Sequence, residues 1–335
     1  MIRDFSLDFV KAIAILAVIW GHISTPLGTF IFSWHMPAFF LAGGVLLVRT
    51  YNGREEFDIF SINDLMKYGK YYLLFGIIGI SAYYAKSILL HREVENIVRL
   101  AINFFVYMDM PHNAQHYGFV LWFLPAYFWS KLITRLYIKV KLKCTTFMCW
   151  VYLVLLFALG EILIICHNLY AEFYIFGIPE GIVCSIWMIA GTECGKLLEY
   201  MKNRKLIFDW IICICAIFIF ANILHIPQLN LGGYFAENIF VNLIWSSAFF
   251  TLIYLTGEIC CKKLPDCLKN IINWLSVNSI YLMAFHVYTN NVAHEVLQRV
   301  SCNIWQINVI LSYIILFAMI FIVRFLYDKW IALKS

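Results

Sequence analysis

The sequence predicts an all-α, polytopic membrane helical bundle of about ten transmembrane helices, and three observations carry that expectation. Hydrophobic residues make up 63% of the 335-residue chain and charged ones only 13%. A soluble domain of this length needs a far larger charged share to cover its surface, so the apolar excess must face lipid. Mean hydropathy is +0.79, and the apolar runs are long and unalternating, which selects helices over a barrel. In hydrocarbon every backbone N–H and C=O must be paired within the protein, and a helix does this inside one segment.

Taken in order, the apolar runs fall at 6–26, 31–49, 69–90, 117–138, 145–166, 173–195, 207–225, 237–258, 273–292 and 305–327. Each is near the roughly 20 residues that cross a bilayer. The first is interrupted by Asp8 and Lys11 and is followed by no small-residue cleavage site, so it reads as a retained span. The ninth, NWLSVNSIYLMAFHVYTNNV, is the most polar. With a cytoplasmic N-terminus, nineteen of the 25 lysines and arginines fall on the cytoplasmic side, Lys67, Arg135, Lys139 and Lys262 among them. Lys86, Arg92, Arg99 and Arg299 fall outside, while Lys11 and Lys131 lie within spans. That bias supports ten spans with both termini cytoplasmic.

Residues 1–335 read as a single integral-membrane domain with no internal repeat or soluble module. The longest outer connection, about residues 91–116, contains ENIVRLAINFFVYMDM, whose apolar positions suit an interfacial helix forming a lid over the outer mouth. Net charge is +5, but no basic block with interleaved aromatics points to nucleic acid. The eleven cysteines are scattered without paired spacing or a nearby histidine pair, so neither a disulfide framework nor a metal site is expected.

The first span holds the candidate chemistry. Lys11 and His22 are eleven residues apart, which brings them within roughly 20° on one helix face and separates them by roughly 16 Å along the axis. Asp8 lies on the same stripe. Polar groups facing lipid are expensive, so the stripe should face a cavity or the bundle interior. The bland alternative pairs Lys11 with Asp8 and leaves His22 hydrogen-bonded to a neighbouring span. SWHMPAFFLAGG follows, with His35 opening the second span on the side of His22 and Pro37 in its first turn. Two histidines suit acid–base chemistry better than metal binding, since no third ligand is evident by spacing. Gly43 and Gly44 suit close helix packing.

LDFVKAIAILAVIWGH and FSWHMPAFFLAGG together resemble the opening of the acyltransferase-3 family, especially its fucose 4-O-acetylase-like branch. LWFLPAYF at 121–128 and NSIYLMAFH at 278–286 resemble two later stretches of that family. The resemblance implies a membrane O-acetyltransferase of the bacterial cell (inner) membrane, with acetyl-CoA as donor and no metal. Its partners would be membrane lipid and a glycan or lipid-linked sugar acceptor. The family places an arginine ten residues before an essential histidine, where this chain has Lys11 and His22. A lysine keeps the charge but not the planar fork.

Under that reading His22 is the candidate general base, Lys11 a contact for CoA or charge, Asp8 its partner, and His35 an orienting group. Arg135 and Lys139 are candidates for the CoA phosphates, against a plain topology signal. Trp34, Trp122, His286 and His116 are candidates for the acceptor side, with packing as the alternative for the tryptophans. His112 and His116, beside Asp109, read as a solvated outer loop rather than a metal site. The rival function is a transporter or flippase without covalent chemistry, which intramembrane ionisable groups fit equally well.

Overall fold

The computed structural model describes residues 4–23, 25–51, 57–89, 91, 93–109, 112–113, 117–170, 175–202, 210–211, 214–215, 218, 225–233, 235–302 and 304–332. Among the described residues the protein is all-α apart from one short antiparallel strand pair, Leu229–Asn230 with Phe235–Ala236. Among the described residues, six helical stretches are long and apolar enough to cross a membrane: Gly28–Tyr51, Ile62–Leu89, Thr146–Cys166, Ile178–Tyr200, Ile239–Lys263 and Trp305–Val323.

Helix α1, Phe5–Gly21, begins at Asp4, whose carboxylate accepts the backbone N–H groups of Ser6 and Leu7. Leu7, Val10, Ala14, Ile15 and Ile19 are buried on one broad side, while Phe9, Ile13 and Leu16 on the opposite stripe are only partly buried. The buried side faces the bundle interior, as the apolar face of a packed helix does. After a short helix α2, Gly28–Phe32, helix α3 runs from His35 to Tyr51. Only a turn at Ser33 and Trp34 separates the two, and Gly28–Tyr51 together is long and apolar enough to cross a membrane, in keeping with the predicted second span. Ser33 Oγ donates to the Phe30 carbonyl and accepts from Trp245 Nε1, which ties this turn to the helix that carries Trp245.

Helix α4 spans Ile62–Leu89, and α5, Ile97–Ile102, continues as a π-turn over Asn103–Tyr107. This is the predicted interfacial segment, and it leaves Ile97, Val98, Ile102 and Phe105 exposed while Leu100 and Phe104 are buried. A 3-10 turn, Tyr117–Trp122, leads into α6, Phe123–Lys143. Helices α7, Thr146–Tyr170, and α8, Ile178–Lys202, follow. Helix α8 lies so close along α3 that a Cβ on Gly44 would sit 1.9 Å from the Met188 carbonyl oxygen. The small-residue packing expected at Gly44 is met.

The predicted span 207–225 lies for the most part outside the described residues. Helix α9, Ile239–Lys263, packs on α1, and the ninth predicted span is two helices rather than one, α10, Asp266–Val277, and α11, Ser279–Arg299. The break is at Asn278, whose Nδ2 donates to the Trp274 carbonyl and so competes with the helical ladder. Helix α12, Trp305–Ala332, closes the described chain. Exposure sorts the helices radially. The α3 stretch is 78% buried and the α7 stretch 11%, with Phe147, Trp150, Leu155 and Ile165 facing outward as lipid-facing side chains do.

Candidate active site

Helix α1 borders two separate cavities, one towards each end. Towards its N-terminal end, Lys11 lines a cavity of about 550 Å³ with residues of α3, α4, α6 and α11. Just past its C-terminal end, His22 lines a second cavity of about 440 Å³ with Phe119, Asn290, His294 and Trp305. The stripe predicted from spacing therefore faces hollows and not lipid.

The wall between the cavities is thin. On α11, Met283 borders the first cavity and Val287 the second. Four helical residues span roughly 6 Å. Phe119 and Phe123 make the same step where the 3-10 turn meets α6. The wall carries two more histidines, His35 and His286, both fully buried. The ring of His286 stands 4.9 Å from that of His22, and Phe32 lies edge-on to both His22 and His35.

Both buried imidazoles are oriented by backbone. His35 Nδ1 donates to the Ile31 carbonyl and His286 Nδ1 to the Met283 carbonyl, each at 2.6 Å. A carbonyl oxygen only accepts, so the proton sits on Nδ1 and Nε2 is left with its lone pair. Nε2 of His286 has no hydrogen-bond partner among the described residues. His22 is exposed to its cavity, so one accessible imidazole stands beside one that is shielded and held.

At the other cavity Lys11 contacts Asp8 at 3.4 Å, and Ser276 Oγ donates to the Asp8 carboxylate at 2.6 Å. Across the cavity stand Lys67, Lys131 and Arg135 with Tyr51, Tyr68 and Tyr127. Asp64 accepts from Lys131 at 2.8 Å and from Arg135, and Arg135 Nε donates to Tyr51 at 2.9 Å. The wall thus holds a preorganised cationic cluster with one carboxylate inside it.

A model of the acyltransferase-3 family, described as an acyltransferase domain, matches residues 4–328. The chain belongs to that family. Comparison with curated proteins and with solved structures gives no match. The protein is therefore a membrane acyltransferase, and family membership favours covalent transfer over transport.

The remaining predicted residues of this acyltransferase are dispersed. Lys139 does not line the Lys11 cavity, being one helical turn beyond Arg135 on α6. Trp34 packs on Phe249 at 4.5 Å and Trp122 lies edge-on to Phe123, both buried and neither bordering a cavity named above. His116 lies outside the described residues. His112 stacks on Tyr107 at 3.8 Å and bonds to Asp109 at 2.7 Å, and it borders neither the Lys11 nor the His22 cavity. No group of three or more metal-ligating side chains is found among the described residues.

Reading the sequence missed Asn290, Asn291, His294, Trp305 and Asn308 around His22, and it took Lys67 as a topology signal. A signal for the first group was present. His286, Asn290 and His294 recur every four residues, which is one face of a helix.

Proposed function

We propose that this acyltransferase moves acetyl from cytoplasmic acetyl-CoA to a hydroxyl of a surface-polysaccharide or lipid-linked sugar, in a bacterial inner membrane that it crosses about ten times. One observation carries the reading. Helix α1 presents a cation to one cavity and an accessible imidazole to another, and a wall about one helical turn thick parts them.

The donor needs cations for its phosphates and a path for a long thioester arm. Lys11, Lys67, Lys131 and Arg135 supply the first on the side that the positive-inside bias assigns to the cytoplasm. The acceptor hydroxyl needs a base, and neutral imidazole suits that task near pH 7. His22 takes the hydroxyl proton as the oxygen attacks the thioester carbonyl. The carbon–oxygen bond forms, the carbon–sulfur bond breaks, and the departing thiolate recovers the proton from the imidazolium. His286, with its Nδ1 proton committed to backbone, offers a lone pair beside that imidazolium. Lys11 and Asp8 stand too far from His22 to take part in the proton transfer, so their role is with the donor.

Purified protein mixed with acetyl-CoA should release free thiol when a suitable glycan is added, and the His22→Ala variant should not. Movement of intact glycan across a vesicle wall with no acetyl transfer would overturn the proposal in favour of transport.

A further inference from the structure

The two cavities differ in chemistry as well as position. The Lys11 cavity is bordered by four cationic side chains. Around His22, among the described residues, no lysine, arginine, aspartate or glutamate borders the cavity. Its polar groups are the imidazoles of His22 and His294 and the amides of Asn290, Asn291 and Asn308, and an indole, Trp305, borders it too. Glu295, the acidic side chain on this part of α11, is turned to Lys86 at 3.2 Å.

From this contrast we infer that the acceptor site takes an uncharged sugar ring, laid against Trp305 and read through its hydroxyls by asparagine amides. The inference rests on the acetyltransferase reading and names the class of acceptor for that same site. Two features beyond the residue types support it. The first is Asn290, which is 8% exposed. Its Nδ2 donates to the Ile19 carbonyl at 3.1 Å, which fixes the amide, while its Oδ1 has no hydrogen-bond partner among the described residues. That amide is thereby fixed at the wall of the cavity with its oxygen covered by neighbours, so the amides placed to meet sugar hydroxyls are those of Asn291 and Asn308. The second is Trp305, whose ring is stacked on Trp20 at 5.8 Å and 20°. One face of the indole is covered and its plane is thereby held, as a platform for the C–H face of a pyranose requires.

The lack of charge decides between sugar classes. A carboxylate or phosphate on the acceptor would find no lysine or arginine, and an ammonium no carboxylate, among the described residues bordering the cavity, and an uncompensated charge is poorly tolerated away from water. Neutral hydroxyls meet acceptors and donors in the amides at no such cost. The residues bordering the cavity on α11, Val287, Asn290, Asn291 and His294, recur at the spacing of one helix face. The site is therefore a continuous surface and not a chance meeting of side chains.

The test uses the full chain in detergent and matched pairs of methyl hexopyranosides and their C6-oxidised uronides, followed by saturation-transfer NMR and by thiol release from acetyl-CoA. At least one neutral hexoside should bind and accept acetyl, with its uronide about tenfold weaker or worse. Trp305→Ala should remove the saturation transfer. Because that change also strips the Trp20 stack, Asn308→Lys is the second variant, expected to narrow or reverse the neutral-over-uronide preference. Equal or tighter binding of the uronide, or no binding by any neutral hexoside, overturns the inference. So does an unchanged preference in Asn308→Lys. Acetyl transfer that favours the uronide would sink this inference and leave the enzyme reading standing. Neutral sugar binding without thiol release would do the reverse.

Discussion

The imidazoles of His22 and His286 approach to 4.9 Å between ring centres, one accessible in a cavity and the other sealed behind it. Their roles should separate on mutation. His22 borders a hollow at the end of α1, so His22→Ala removes little packing and should leave the fold intact. Acetyl transfer should fall by about 10²–10⁴-fold, the usual contribution of a general base. Thiol release at saturating acceptor reads the effect, and turnover within a few-fold of the parent protein would take His22 out of the base role.

The cationic cluster makes a different prediction. Lys131→Gln combined with Arg135→Gln should raise the KM for acetyl-CoA with little change in kcat, because phosphate contacts are the same in ground and transition states. Each lost charge-assisted bond is worth about 1.5–3 kcal/mol, so the KM should rise at least tenfold. An acetyl thioester of pantetheine, which carries no phosphate, supplies the control. It should be used equally by parent and variant, and a variant defective with both donors would place the pair in structure rather than in donor binding.

These expectations separate what a sequence shows from what it hides. The stripe from Asp8 through Lys11 to His22 is legible because all three sit on one helix, where spacing alone sets the face. The proximity of His22 to His286 is not, since it depends on how α1 and α11 pack. Lys131 and Arg135 are four residues apart and share a face, yet spacing does not say where a cavity stops, so Lys139 looked equivalent and is not. The break at Asn278 was hidden by the apolar run around it, where a side-chain amide competes with the backbone ladder. Trp34 and Trp122, for which packing was one reading and the acceptor side the other, are buried and border neither cavity.

Packing between α3 and α8 should tolerate no side chain at its closest point. A Cβ at Gly44 would come within 1.9 Å of the Met188 carbonyl oxygen, and one at Gly191 within 2.2 Å of that of Leu41. Backbone atoms on both sides leave no rotamer to relieve the clash. Gly44→Ala should therefore destabilise by about 1–3 kcal/mol or more. A Cβ at Gly69, inside α4, would meet nothing within 4 Å, so Gly69→Ala should instead stabilise by about 0.5–1 kcal/mol through helix propensity. Thermal unfolding of the two variants in detergent should move in opposite directions, and a matched shift would refute the close approach of α3 and α8.

Asp4 joins three helices, and its two functions should come apart on substitution. Its carboxylate caps α1 through Ser6 and Leu7, accepts from Arg49 of α3 at 2.5 Å, and accepts from the Tyr254 hydroxyl of α9 at 2.9 Å. Losing the cap costs about 0.5–2 kcal/mol, and the charge-assisted bond to Arg49 adds about 1.5–3 kcal/mol before any overlap between the two. Asp4→Ala should remove both. Asp4→Asn keeps a side-chain oxygen that caps as well as aspartate does, so it should lose only the share that depends on charge. Thermal unfolding should thus rank the parent above Asp4→Asn and that above Asp4→Ala. The folded fraction of either variant should transfer acetyl at the parent rate, because Asp4 lies roughly 27 Å along the helix axis from His22. If Asp4→Asn and Asp4→Ala melt together, the ion pair with Arg49 carries the whole effect and the cap none of it.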